Sequence, residues 1–173
     1  LYPKSLGITS SFSSEDARNI GKYMVELNKL KLNIVPQWSL RDITKLFKRI
    51  RHQDEFCNNY KHLTFYHNVL FYTLAPVCKS EICGIFDMIL NLIGDTFNLD
   101  NDRKNELKRC YLTEVSIQKI GDGQYFMKGN TGISTDLFPN FKEHIKEFSC
   151  LPSLLECIFH ILLSHSSEPI ILI

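Results

Sequence analysis

A chain of 173 residues, 44% apolar and 23% charged, has a globular composition and can bury a core without disulfides or metals. Its net charge of +1 excludes a strong overall field for nucleic acid or a membrane surface. The longest apolar stretch, 82–93, is broken by Gly84, Asp87 and Asn91, too short and too polar to span a bilayer.

Ser13-Ser14-Glu15-Asp16 predicts a helix start, with Ser13 as N-cap and Asp16 as its reciprocal partner. The helix is expected to run to about Leu32, with Ile20, Tyr23, Met24, Leu27 and Leu30 on one face, before Ile34-Val35-Pro36 breaks it. Ser39 and Asp42 have capping-box spacing for a second helix, and Trp38 and Ile43 occupy the two positions of a hydrophobic staple. Leu40, Ile43, Leu46, Phe47 and Ile50 form its apolar stripe, leaving Lys45, Lys48, Arg49 and Arg51 outside it. A third helix is expected over 61–74, stopped near Pro76. A fourth is expected over 80–93 with Gly94 as C-cap, and a fifth, short and charged, over 100–110.

The pattern then changes. Residues 114–120 alternate as a half-buried strand does, Gly121-Asp122-Gly123 reads as a turn, and 124–128 returns as a second strand. Gly129-Asn130-Thr131-Gly132 is expected to end the hairpin. The stretch 139–148 fits either a short helix or an extended arm. Leu151 to Ser164 predicts a strong helix, and Pro169-Ile170-Ile171-Leu172-Ile173 a buried strand. The seam between the two textures falls between Cys110 and Thr113. The fold class expected is therefore mainly α: a helical bundle over 1–112, then a β-hairpin and a helix–strand unit over 113–173. A start at Leu1 and a stop inside an apolar run predict a piece excised from a longer protein.

Candidate chemistry is sparse. Cysteines 57, 78, 83, 110, 150 and 157 include no CxxC pair, and no signal peptide opens the sequence. They read as reduced thiols of a cytosolic or nuclear protein, mostly buried as small hydrophobes. His62, His67, Cys78 and Cys83 carry ligand-type side chains, but their spacing fits no zinc template. No GxSxG, HExxH or Gly-rich phosphate loop occurs, so no catalytic and no metal residue is assigned.

Arg41 is the most informative residue. It stands at the second position of a capped helix, where free N–H groups and the dipole favour anions, and a cation there costs a few tenths of a kcal/mol. It reads either as a surface cation placed by chance or as a phosphate ligand aided by the helix terminus. The basic face Lys45, Lys48, Arg49 and Arg51 reads as a solvated helix surface or as a contact for RNA phosphates or an acidic partner.

Three segments then line up in order. Trp38-Ser39-Leu40-Arg41-Asp42 resembles the "SLR" element that opens a lid helix in midasin-type, dynein-related AAA+ ATPases. Tyr125-Phe126-Met127-Lys128-Gly129 is similar to the short strand leading towards the next module of that family. Leu151-Pro152-Ser153-Leu154-Leu155-Glu156 with Pro169–Ile173 resembles the family's "TPS" helix and the apolar strand before the phosphate-binding loop. Leu151 stands where the family has threonine, and 60–110 has no residue-by-residue match.

The resemblance implies a helical AAA+ lid over 1–112 and the beginning of the next module over 113–173, truncated before its phosphate-binding loop. It implies a nuclear parent that uses ATP and Mg to remodel precursor large ribosomal subunits and release assembly factors. Arg41 would be its cofactor-binding residue here, and the fragment alone would not hydrolyse ATP. Partners would be neighbouring AAA+ modules and pre-ribosomal particle proteins, with no membrane and no direct nucleic-acid contact implied. Giant AAA+ ubiquitin ligases and dynein share parts of the pattern. A non-enzymatic helical module that docks protein or RNA is the competing class.

Overall fold

Among the described residues, apolar side chains at helical spacing build five helices before the chain turns to strand. The computed structural model describes residues 14–56, 65–129, 131–135 and 152–163. Its helices are α1 (Ser14–Lys29), α2 (Leu40–Phe56), α3 (Phe65–Leu74), α4 (Lys79–Phe97) and α5 (Asn101–Leu112). Three strands follow, β1 (Ser116–Ile120), β2 (Gly123–Lys128) and β3 (Thr131–Ser134), and then α6 (Pro152–Leu163). The fold is thus mainly α, a helical bundle followed by a small antiparallel sheet and a helix.

α1 packs on α4, α2 on α3, and both α3 and α5 on α4. Their buried faces form one core that includes Ile20, Tyr23, Leu27, Leu46, Leu70, Ile89 and Ile93. The stripes of α1 and α2 share it: Ile20, Leu27, Ile43, Phe47 and Ile50 are all members. Leu40 is the exception, 63% exposed at the first position of α2. Trp38, buried just before it, covers the bundle at that point and leaves Leu40 facing water.

Helix ends depart from expectation for local reasons. α1 stops at Lys29, not Leu32, because Lys31 turns left-handed at φ 47°. Leu30 consequently leaves the helical face and is 39% exposed. α4 runs through Gly94 to Phe97, and Asn98 at φ 52° is the residue that caps it. The Leu99 N–H returns to the Gly94 carbonyl at 2.9 Å, as left-handed helix endings require. A Cβ at Gly94 would come within 2.6 Å of Lys104 Cδ on α5, a flexible side chain that can shift aside. Asp100 caps α5 by accepting from the Arg103 N–H at 2.8 Å. The expected Ser13 cap, residues 61–64 and the 139–148 and 169–173 segments lie outside the described residues.

β1 and β2 pair antiparallel, Ile120 opposite Gly123, so a two-residue loop joins them with Gly121 at φ 58°. The hairpin does not end at Gly129. Gly129 adopts φ 61°, and the chain returns as β3, Lys128 opposite Thr131, giving a three-stranded meander. Thr131 and Ile133 are β-branched, and a third strand covers the edge that β2 would otherwise expose.

A second core joins the sheet and α6 to the bundle: Phe126, Leu155, Ile158 and Phe159 meet Val115, Phe71 of α3 and Cys110 of α5. The seam expected between Cys110 and Thr113 falls at the end of α5, which runs to Leu112, and packing crosses it. Of the four described cysteines Cys110 alone is buried, while Cys78, Cys83 and Cys157 are exposed. They do not share the burial expected of small hydrophobes, because Ile85, Phe86, Ile89, Ile158 and Phe159 take the inward positions of those helices.

One buried polar pair ties α1 to α3. Tyr23 is fully buried, and its hydroxyl lies 2.9 Å from Thr73 Oγ1. Thr73 gives its hydrogen to the Val69 carbonyl at 2.7 Å, so Tyr23 is the donor. Burial pushes the phenol above its usual range, more than the bond to Thr73 lowers it. Tyr23→Phe is expected to lower stability by about 1 kcal/mol, since Thr73 keeps its bond to Val69. Urea denaturation measures this; an unchanged midpoint would show that the pair contributes nothing.

Candidate functional site

The start of α2 is held by contacts from two other helices. The Asn28 side chain clips the loop before it, accepting from the Trp38 N–H and donating to the Trp38 carbonyl, both at 2.8 Å. The indole of Trp38 then sits edge-on to Tyr23, with ring centroids 5.4 Å apart, and to Tyr72 at 5.2 Å. Such edge-to-face geometry suits the ring quadrupoles and fixes the angle at which α2 departs.

The Ser39–Asp42 box forms in one direction. Asp42 Oδ2 accepts from the Ser39 N–H at 2.8 Å, as expected. The Ser39 hydroxyl does not cap the Asp42 N–H; it donates to the same carboxylate oxygen at 2.7 Å. The Asp42 N–H turns to the Ser39 carbonyl at 3.0 Å. The reason is tertiary: Tyr72 donates to Asp42 Oδ1 at 2.9 Å, which holds the carboxylate over Ser39. Burial raises the Asp42 pKa, but the Ser39 and Tyr72 hydrogen bonds and nearby Lys45 outweigh it and leave it below the usual range.

This changes the expected phosphate site. The N-terminus of α2 already has its anion in Asp42, so dipole and free N–H groups contribute less to an external phosphate. Arg41 is exposed. Its neighbour Asp42 is engaged with Ser39 and Tyr72, and Glu26 with Lys29 at 2.8 Å.

The basic face is narrower than the sequence predicts. Arg49 is not on the solvated side: it is 9% exposed, with its guanidinium 4.6 Å from the Tyr72 ring centroid. The cation–π contact, worth about 0.5–2 kcal/mol, offsets part of the cost of taking the guanidinium out of water. Lys48 is exposed and Lys45 half-buried, so Arg41, Lys45 and Lys48 share a cationic stripe at helical spacing; the Arg51 side chain lies outside the described residues. A cavity of about 320 Å³ opens between Pro36, Trp38, Asp42, Arg49, Tyr72 and Pro76. Arg41 does not line it.

A second polar cluster lies in the other core. Lys128, 2% exposed, donates to Glu156 Oε1 at 2.7 Å and to the Thr113 carbonyl at 2.8 Å. Its ammonium stands 5.7 Å from the ring centroids of Phe71 and of Tyr111. His160 Nε2 lies 3.4 Å from the same Glu156 oxygen. Burial raises the Glu156 pKa, but its bonds with His160 and Lys128 outweigh that and hold it below the usual range. Burial, and then the Glu156 charge, push the Tyr111 phenol up to about 12.

Sequence reasoning assigned neither Lys128 nor Glu156. The signal was there for Lys128, which shares strand parity with inward Phe126. Glu156 has helical i,i+4 spacing to His160, but nothing local marks its partner 28 residues away. Of the residues weighed for zinc, His67 is buried on α3, while Cys78 and Cys83 are exposed. Among the described residues no group of three or more His, Cys, Asp or Glu could hold a metal ion, and no helix is long and apolar enough to cross a membrane. No protein-family profile matches the chain, and comparison with curated proteins and with solved structures found no match.

Proposed function

We propose that this chain is a nucleotide-sensing helical lid, with the beginning of the following module, from a midasin-type AAA+ ATPase. The parent would use ATP and Mg to remodel precursor large ribosomal subunits in the nucleus and release assembly factors. The neighbouring modules of the ring and pre-ribosomal proteins are its partners in this reading. The sequence contains no Gly-rich phosphate loop, so the nucleotide would be bound mainly by residues outside it.

One observation carries the reading. Arg41 is exposed at the first turn of a helix whose start is fixed by Asn28, Trp38, Ser39 and Tyr72. A guanidinium on such a rigid base is preorganised, so little ordering is lost when it meets a phosphate. Asp42, its neighbour in sequence, is engaged with Ser39 and Tyr72.

Arg41→Ala in the intact parent is expected to weaken nucleotide binding by about 1.5–3 kcal/mol, the worth of a charge-assisted bond to phosphate. Stability should change by less than about 0.5 kcal/mol, as for a surface residue. Titration calorimetry with ATP and a thermal melt measure the two. Unchanged affinity in a module that binds ATP would end the assignment.

A further inference from the structure

We infer that α6 is a releasable element of this fold and that the Lys128–Glu156 ion pair is its catch. The inference stands apart from the ATPase reading, because it rests on the second core alone. From α6, Leu155, Ile158 and Phe159 enter that core, against Phe71, Cys110, Val115 and Phe126. Apolar contacts are non-directional, so they attract the helix without fixing its rotation. The ion pair adds direction: Glu156 meets an ammonium that the bundle and sheet hold in place.

Each ion keeps a partner on its own side. Lys128 is bound by the Thr113 carbonyl and lies beside the Phe71 and Tyr111 rings, all independent of α6. Glu156 has His160 3.4 Å away on its own helix. Opening the contact therefore leaves neither charge stranded, and water can enter to solvate both. Closing it removes that water and restores a 2.7 Å bond. Exchanging such a pair for apolar side chains of the same volume costs little, whereas removing one ion alone leaves the other poorly compensated in the closed state, so each ion favours closure only while its partner is present. The Cys110 thiol donates to the Lys128 carbonyl at 3.3 Å, and Gly129 turns tightly against Cys110, so the strand end does not follow α6 when it leaves.

Hydrogen exchange on the whole chain, read by mass spectrometry, tests this. In the unaltered chain α6 amides should exchange through an opening of lower free energy than those of α1 and α4. Glu156→Ala should speed α6 exchange about 100-fold, the scale of breaking a buried pair, and leave α1 and α4 within about threefold. Glu156→Gln serves if that variant does not fold, since it keeps the shape of the helix face and removes only the charge; the same pattern at about tenfold is expected. Exchange that rises equally in all helices, or stays unchanged in α6, would overturn the inference.

Discussion

Phe71→Ala is expected to cost about 3–5 kcal/mol, the range for emptying a fully buried aromatic position. Phe71 is 1% exposed and belongs to α3, yet it serves the second core. Its ring stacks on Tyr111 with centroids 5.3 Å apart and meets Phe159 edge-on at 6.3 Å. Lys128 stands over it at 5.7 Å. Neighbours from three directions cannot all relax into the space, so most of the cavity persists. Phe71→Leu should lose less, about 1–2 kcal/mol, because it retains most of the volume. Equilibrium urea denaturation followed by Trp38 fluorescence measures both; the sole tryptophan lies in the first core, so it reports the bundle. A loss below about 1 kcal/mol for Phe71→Ala would mean that the joint between the cores is loosely packed.

The second large effect is one of pH. His67 is 3% exposed on α3, and burial lowers its pKa from 6.5 to about 4, against a smaller upward pull from Glu106. Between those values the unfolded chain binds the proton and the folded chain does not. Stability therefore rises with pH across that window, and is lost as pH falls from about 6.5 towards 4. The shift corresponds to about 3 kcal/mol. Asp42 and Glu156, both held below their usual range, add to the loss only nearer the carboxylate pKa values. His67→Gln should flatten the stability profile above pH 4.5 while leaving the steeper acid limb. Denaturation midpoints at half-unit pH steps test this, and parallel curves for the two proteins would refute it.

Local chemistry in the chain marked most of the architecture. Helical periodicity placed α1, α2, α4 and α6, and alternation placed β1 and β2, because amphipathic period depends on neighbours within a turn or two. The staple residues Trp38 and Ile43 are both buried, as their spacing predicts. Errors gathered at ends. Lys31 and Asn98, neither of them glycine, take left-handed conformations that no local rule demanded. β3 was missed because four residues show too little alternation to separate a strand from a turn.

The candidate site divides along the same line. The Ser39–Asp42 bond was legible, for its partners stand three residues apart on a helix start. Tyr72, which redirects Asp42, stands 30 residues from it, and Asn28, which clips Trp38, stands 10 away. Arg49 read as a solvated cation because its charge is visible in sequence and the Tyr72 ring that covers it is not. The Lys128–Glu156 pair joins a strand to a helix across a loop, and only the docking of α6 brings its two ions together. Sequence by itself determined which faces were apolar and where helices gave way to strands, since those follow from covalent neighbours. Tertiary structure decided which polar side chains were buried and with whom, since a charge enters a core only where distant residues supply its partners.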